Sequence, residues 1–187
     1  MTISTNSNTQ LSALHDEQGQ SPWLDNLRRG WITTGELDRW VSSGIRGLTS
    51  NPAIFQKAIE GSADYDQQFG QLIADGVAVD SAYWDLVASD IRGALKALLP
   101  VYESSNGTDG FVSVEVDPAL ARETDQTTEA ARALHDRLNA PNLMVKIPGT
   151  VEGLPSVRTM IGEGRSINIT LIFSVPRYSE VMEAYIS

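Results

Sequence analysis

From position 21 onward, short apolar runs alternate with longer stretches whose apolar residues recur at helical spacing. Runs at 23–27, 45–50, 111–116, 143–147 and 167–173 read as strands. Stretches near 34–43, 64–75, 82–102, 119–138, 154–162 and 176–186 read as helices. Within 82–102, Leu86, Ile91, Leu95, Leu98 and Leu99 trace one apolar side of a helix. Pro118 and Pro141 punctuate the elements where the pattern changes. Such alternation marks βα units around a parallel sheet, either an open doubly wound sheet or a (β/α)8 barrel.

Strand alternation sorts the polar residues by face. In LMVKIPG, Leu143, Val145 and Ile147 share one face, and Met144 and Lys146 share the other. In FVSVEVDP, the valines face one way and Ser113 and Glu115 the other. In INITLIF, Ile167, Ile169 and Leu171 oppose Asn168 and Thr170. Asp25 lies in the first strand, WLDNL, and Asn51 closes the second, GLTSNP. If the apolar faces meet the helices, the polar set points inward near the C-terminal ends of the strands. Any one of these residues alone is readily explained as a cap, an Asx turn or a satisfied core hydrogen bond. Five strands that each contribute one instead describe a site at the C-terminal face.

Lys146 stands out among the three lysines, Lys57, Lys96 and Lys146, because it alone lies inside an apolar strand. Desolvation favours the neutral form of an amine, and the neutral form attacks a carbonyl. Position alone leaves open an edge-strand lysine that snorkels to water. Glu115 on the inward face is costly unless hydrogen-bonded or used to shuttle a proton.

Composition narrows the chemistry. There is no cysteine, and the only histidines are His15 and His135, so disulfides, thiolate nucleophiles and Cys/His zinc clusters are excluded and no metal is expected. A formal net charge of −10 argues against nucleic acid or an anionic membrane as the main partner. No apolar run approaches the roughly eighteen residues of a membrane span. The polar start, MTISTNSNTQLSALHDEQGQ, lacks the cationic and apolar regions of a secretory signal. It is expected to be a loose leader over 1–20, with 21–187 as the folded part, in a reducing cytoplasm that suits the absence of cysteine.

The segments GLTSNPAIF, VSVEVDP, LMVKIPGT and SINITLIFS occur in the order and spacing of the transaldolase family. The resemblance runs from about Ser21 to the last residue, and the four motifs together are highly specific. The insertions and the SPWLDNLRRG opening are similar to the longer bacterial branch, found in some bacteria fused to a glucose-6-phosphate isomerase domain. Gly149 in KIPGT stands where alanine is commoner, an exchange between two small residues.

The resemblance implies an α/β fold, a (β/α)8 TIM barrel. A complete barrel takes about 250 residues. A chain of 187 that stops inside the helical pattern VPRYSEVMEAYIS is expected to be truncated to about five βα units. The implied activity transfers a dihydroxyacetone unit between sugar phosphates in the pentose phosphate pathway, without cofactor or metal. Lys146 matches the Schiff-base lysine, Asp25 the acid/base at the hydroxyl beside the broken bond, and Glu115 the residue that works with water on the imine. Asn51, Asn168 and Thr170 match residues that bind the dihydroxyacetone hydroxyls or the catalytic water. The family's phosphate ligands lie on later strands and have no counterpart here. Two other readings stay open: a non-catalytic half-barrel that self-associates through its unpaired edges, and a fructose-6-phosphate aldolase-like activity.

Overall fold

The computed structural model describes residues 9–187. Five parallel strands, β1 (Trp23–Asp25), β2 (Gly47–Thr49), β3 (Val112–Glu115), β4 (Leu143–Pro148) and β5 (Ile167–Thr170), pair in sequence order. Each strand is followed by helical structure, as parallel neighbours require. β1 leads to α2 (Arg29–Thr33) and α3 (Glu36–Ser42). β2 leads to α4 (Pro52–Glu60), a short 3-10 turn, α5 (Asp66–Ala74) and the long α6 (Val79–Ser104). After β3, β4 and β5 come α7 (Thr124–Leu138), α8 (Gly153–Gly162) and α9 (Val175–Ile186). The sheet is a curled half-barrel in which the strands form part of a (β/α) TIM barrel.

The apolar faces identified by alternation meet the helices. Leu48, Val112, Val114, Val116, Leu143, Val145 and Ile147 are buried in one core with Ile91, Leu95 and Leu98 of α6 and Val157 and Met160 of α8. Both faces of a parallel sheet are normally covered. Here the opposite face is concave and carries the polar side chains. Two hydrogen bonds show how tightly the sheet curls. Lys146 Nζ on β4 donates across β3 to the carbonyl of Ser50, just past β2, at 3.0 Å. Asn168 Nδ2 on β5 donates across β4 to Ser113 Oγ on β3 at 3.1 Å. In a flat sheet, strands two apart lie about 9–10 Å from each other, so side chains meet across an intervening strand only when the face is concave.

The elements differ from the expected ones in ways the backbone explains. Residues 10–18 of the stretch 1–20 read as a loose leader form α1 (Gln10–Gln18), and residues 1–8 of that stretch lie outside the described residues. Thr9 caps α1 by accepting from Ser12 N, Gly19 closes it in the left-handed conformation, and the Thr9 hydroxyl donates to the Ser43 carbonyl. The helix expected over 34–43 is α3, beginning only after Gly35 with φ 70°, and the short α2 before it was not expected. The helix expected over 119–138 begins only at Thr124, after a 3-10 turn at Pro118–Leu120. The strand expected over 167–173 stops at Thr170, because Leu171 takes φ 61°, a left-handed value foreign to a strand.

Candidate active site

The concave face gathers most of the polar residues singled out by alternation. Lys146 is 7% exposed. Its neighbours in strand register are Glu115 on β3 and Asn168 on β5. Nζ stands 3.3 Å from Glu115 Oε2 while donating to the Ser50 carbonyl. The amine is thus held between a carboxylate and a carbonyl, in a setting largely closed to water, where both contacts are stronger than on an open surface.

The remaining candidates are placed less uniformly. Asn168 is half-buried and committed to Ser113 Oγ, which is itself fully buried. Thr170 is in register with Pro148, and its hydroxyl is buried without a hydrogen-bond partner among the described residues. Asn51 caps α4, accepting from Ile54 N at 3.0 Å through Oδ1, with Pro52 at the first helical position. That bond leaves its amide nitrogen without a partner among the described residues. Asp25 ends β1 in an exposed position opposite Thr49 and makes no contact with Lys146. The structure therefore brings Lys146, Glu115 and Asn168 together, sets Thr170 and Asn51 along the same strand ends, and leaves Asp25 at the open edge.

Three contributors to this face went unpromoted. Thr49 carries a second buried hydroxyl without a partner among the described residues, and Ser113 receives the Asn168 bond. Alternation already set Ser113 inward beside Glu115, and applied to GLTSNP it would have set Thr49 there too. The Ser50 carbonyl left no signal, because any residue carries one.

Gly149 also has a steric role. Its N–H donates to the Thr170 carbonyl at 2.7 Å, and a Cβ added there would stand 2.9 Å from that same oxygen. Being small does not make the two residues equivalent here: glycine lets the ends of β4 and β5 approach beside Thr170.

The turn that follows Asp25 is pinned from outside the face. Arg29 Nε donates to Asp90 Oδ1 at 2.8 Å, Tyr65 donates to Asp90 Oδ2 at 2.7 Å, and Arg29 N donates to the Tyr65 hydroxyl at 3.0 Å. Burial pushes the Asp90 carboxyl above its ordinary range, against the pull of Arg29 and Tyr65. Burial and the adjacent Asp90 push the Tyr65 phenol up as well. Among the described residues, no group of three or more Asp, Glu or His side chains is placed to hold a metal, and no helix is long and apolar enough to cross a membrane.

Known proteins carry the same pattern. Residues 22–187 match the family described as Transaldolase/Fructose-6-phosphate aldolase. The chain is 49% identical over 186 residues to the transaldolase of Saccharopolyspora erythraea, a match covering 99% of this chain and 50% of that protein. It is 48% identical over 171 residues to transaldolase 2 of Nostoc punctiforme, covering 91% of this chain and 45% of that one. With the transaldolase of Mycobacterium tuberculosis the identity is 44% over 184 residues, covering 98% and 49%. The chain thus spans about half the length of the curated relatives it matches. A buried lysine paired with a carboxylate on the concave face of parallel strands accompanies this likeness, and the chain belongs to the transaldolase/fructose-6-phosphate aldolase family.

Proposed function

We propose that the site performs transaldolase chemistry, transferring a dihydroxyacetone unit from a ketose phosphate such as sedoheptulose 7-phosphate to an aldose phosphate such as glyceraldehyde 3-phosphate. The observation that carries this reading is Lys146, buried with Nζ 3.3 Å from Glu115 and 3.0 Å from the Ser50 carbonyl. The neutral amine adds to the ketone carbonyl, and loss of water gives a protonated imine. Glu115 is the group at hand to relay the protons of both steps. Asp25 takes the proton of the hydroxyl on the fourth carbon, the bond between the third and fourth carbons breaks, and an aldose phosphate leaves. Its electron pair passes into the imine as an enamine. Attack of that enamine on the acceptor aldehyde and hydrolysis of the new imine return the free amine and the ketose product. Asn51, Asn168 and Thr170 hold the hydroxyls of the three-carbon unit or the water used in hydrolysis. In this reading no cofactor takes part, and the protein serves the pentose phosphate pathway in the cytoplasm.

The test is borohydride reduction with fructose 6-phosphate, followed by peptide mass mapping. A three-carbon or hexose phosphate adduct on Lys146 is expected. An adduct confined to Lys57 or Lys96, or none, refutes the reading. Release of free dihydroxyacetone without an acceptor would instead favour the fructose-6-phosphate aldolase activity that shares the family's description.

A second reading, self-association of a half-barrel, has its own observation. Leu171, Phe173, Val175, Tyr178, Tyr185 and Ile186 are large apolar residues exposed along the end of β5 and α9. Light scattering decides it. Association that disappears in the double variant Phe173→Asp, Tyr185→Asp supports it, and a monomer at every concentration removes it.

A further inference from the structure

The chain carries 24 acidic side chains against 14 Lys and Arg, and among the described residues half of those cations form ion pairs, Lys146 with Glu115 among them. Arg29, Arg46, Arg132, Arg137, Arg165 and Arg177 are all ion-paired. Arg28 and Lys57 form no ion pair or side-chain hydrogen bond among the described residues, yet both line one cavity of about 330 Å³. Asn26, Ile54, Ala58, Gly61 and Ser62 complete its walls.

The cavity lies between the turn after β1 and α4, at the C-terminal ends of the strands. Asn26 directly follows Asp25, and Asn51 caps the helix that bears Lys57. Lys57 sits about 7 Å along that helix from Pro52. Arg28 lies flat against Trp31, its guanidinium carbon 4.5 Å from the ring centroid, which restrains it without neutralising it. The neighbouring Arg29 is held by Asp90. Glu60, one turn beyond Lys57, accepts from Gln56 at 2.9 Å instead of pairing with the lysine.

We propose that this cavity is an anion subsite for a phosphate monoester, with Arg28 and Lys57 as the charge-bearing ligands and the Asn26 amide and Ser62 hydroxyl as neutral donors. A guanidinium and an ammonium converging from two elements match the dianion's charge and leave it several hydrogen bonds. In a field set by an excess of acidic groups, such a pocket is also where an anion can approach the rim. The site is separate from the Schiff-base chemistry, since binding here needs nothing from Lys146.

The test is a titration of the ¹⁵N-labelled 187-residue chain with inorganic phosphate, followed by the backbone amides of Asn26, Gly61 and Ser62. Saturable shifts at these amides are expected, weakening as sodium chloride is raised. Arg28→Gln and Lys57→Gln are each expected to weaken binding about tenfold, one charge-assisted contact apiece. Lys96→Gln, on the distant α6, leaves it unchanged. Absence of saturable shifts at these amides, or equal affinity in both variants and the parent, overturns the proposal. Repeating the titration with fructose 6-phosphate separates the sources. Tighter binding than phosphate assigns the site to a sugar ester, and equal binding assigns it to free phosphate. A chain that binds phosphate here but gives no borohydride adduct at Lys146 upholds the subsite while removing the function proposed above.

Discussion

Lys146 and Glu115 stand opposite each other in the register of β4 and β3, with Nζ 3.3 Å from Oε2. Parallel pairing on a concave face makes this contact: register fixes the level of both side chains, and curvature closes the distance between them. The amine therefore has a proton acceptor beside it without any loop having to move.

Glu115→Gln keeps the shape and a hydrogen-bonding oxygen but removes the base. Imine formation at Lys146 is expected to slow about a hundredfold, the usual scale of one acid–base group. The time course of borohydride trapping with fructose 6-phosphate measures it. An unchanged rate would show that Glu115 only holds the lysine in place.

Gly149→Ala brings a methyl group to 2.9 Å from the Thr170 carbonyl, so the end of β5 must move away. A loss of about 1–3 kcal/mol is expected from such crowding. Urea denaturation measures that loss, and amide shifts at Thr170 and Leu171 should accompany it. Stability equal to the parent chain would mean that β5 yields freely at this point.

Asp90→Ala leaves the mostly buried Arg29 guanidinium without its carboxylate, and the Tyr65 hydroxyl without its acceptor. Breaking a buried pair in this way costs about 3–5 kcal/mol. Tyr65→Phe, which removes one neutral donor, is expected to cost about 1 kcal/mol. The order of the two urea midpoints checks the assignment, and a smaller loss for Asp90→Ala than for Tyr65→Phe contradicts it.

Burial holds His135 below its ordinary value of 6.5, with nearby Arg165 acting in the same direction. Nε2 lies 3.0 Å from the Ser166 carbonyl, a contact made by the neutral ring with its proton on Nε2. Just below pH 6.5 the unfolded chain binds a proton at this residue and the folded chain does not. Stability is therefore lost as pH falls through that window and regained as it rises. His135→Gln is expected to flatten the difference in urea midpoint between pH 5.5 and pH 7.5, buffer values about one unit either side of the free imidazole. A difference as large as in the parent chain would assign the slope to other groups.

Much of the fold was legible because each strand carries its own alternation. The residues that put Lys146, Glu115 and Asn168 on one face are the ones that put Val145, Val114 and Ile167 on the other. Strand ends were less legible. The left-handed Leu171 that stops β5 is not a residue type that announces such a conformation. The start of α3 after Gly35 could have been read, since glycine is the usual residue at a left-handed turn. α1 was overlooked because its signal is two caps, Thr9 and Gly19, around a stretch with little apolar character and no buried residue. Within the site, side chains on a shared face could be inferred. The Ser50 carbonyl that receives the lysine could not, because only the curl of the sheet brings it there.

The clasp of Arg29, Tyr65 and Asp90 joins the turn after β1 to a helix that follows much later in the chain. During synthesis, β1 and its turn leave the ribosome well before Asp90 is made. Arg29 can meet Tyr65 earlier, but its carboxylate partner arrives only when α6 has emerged and docked. The edge of the sheet bearing Asp25 is encoded first and finished late, so a nascent chain passes through a period in which that rim is written but not yet shaped.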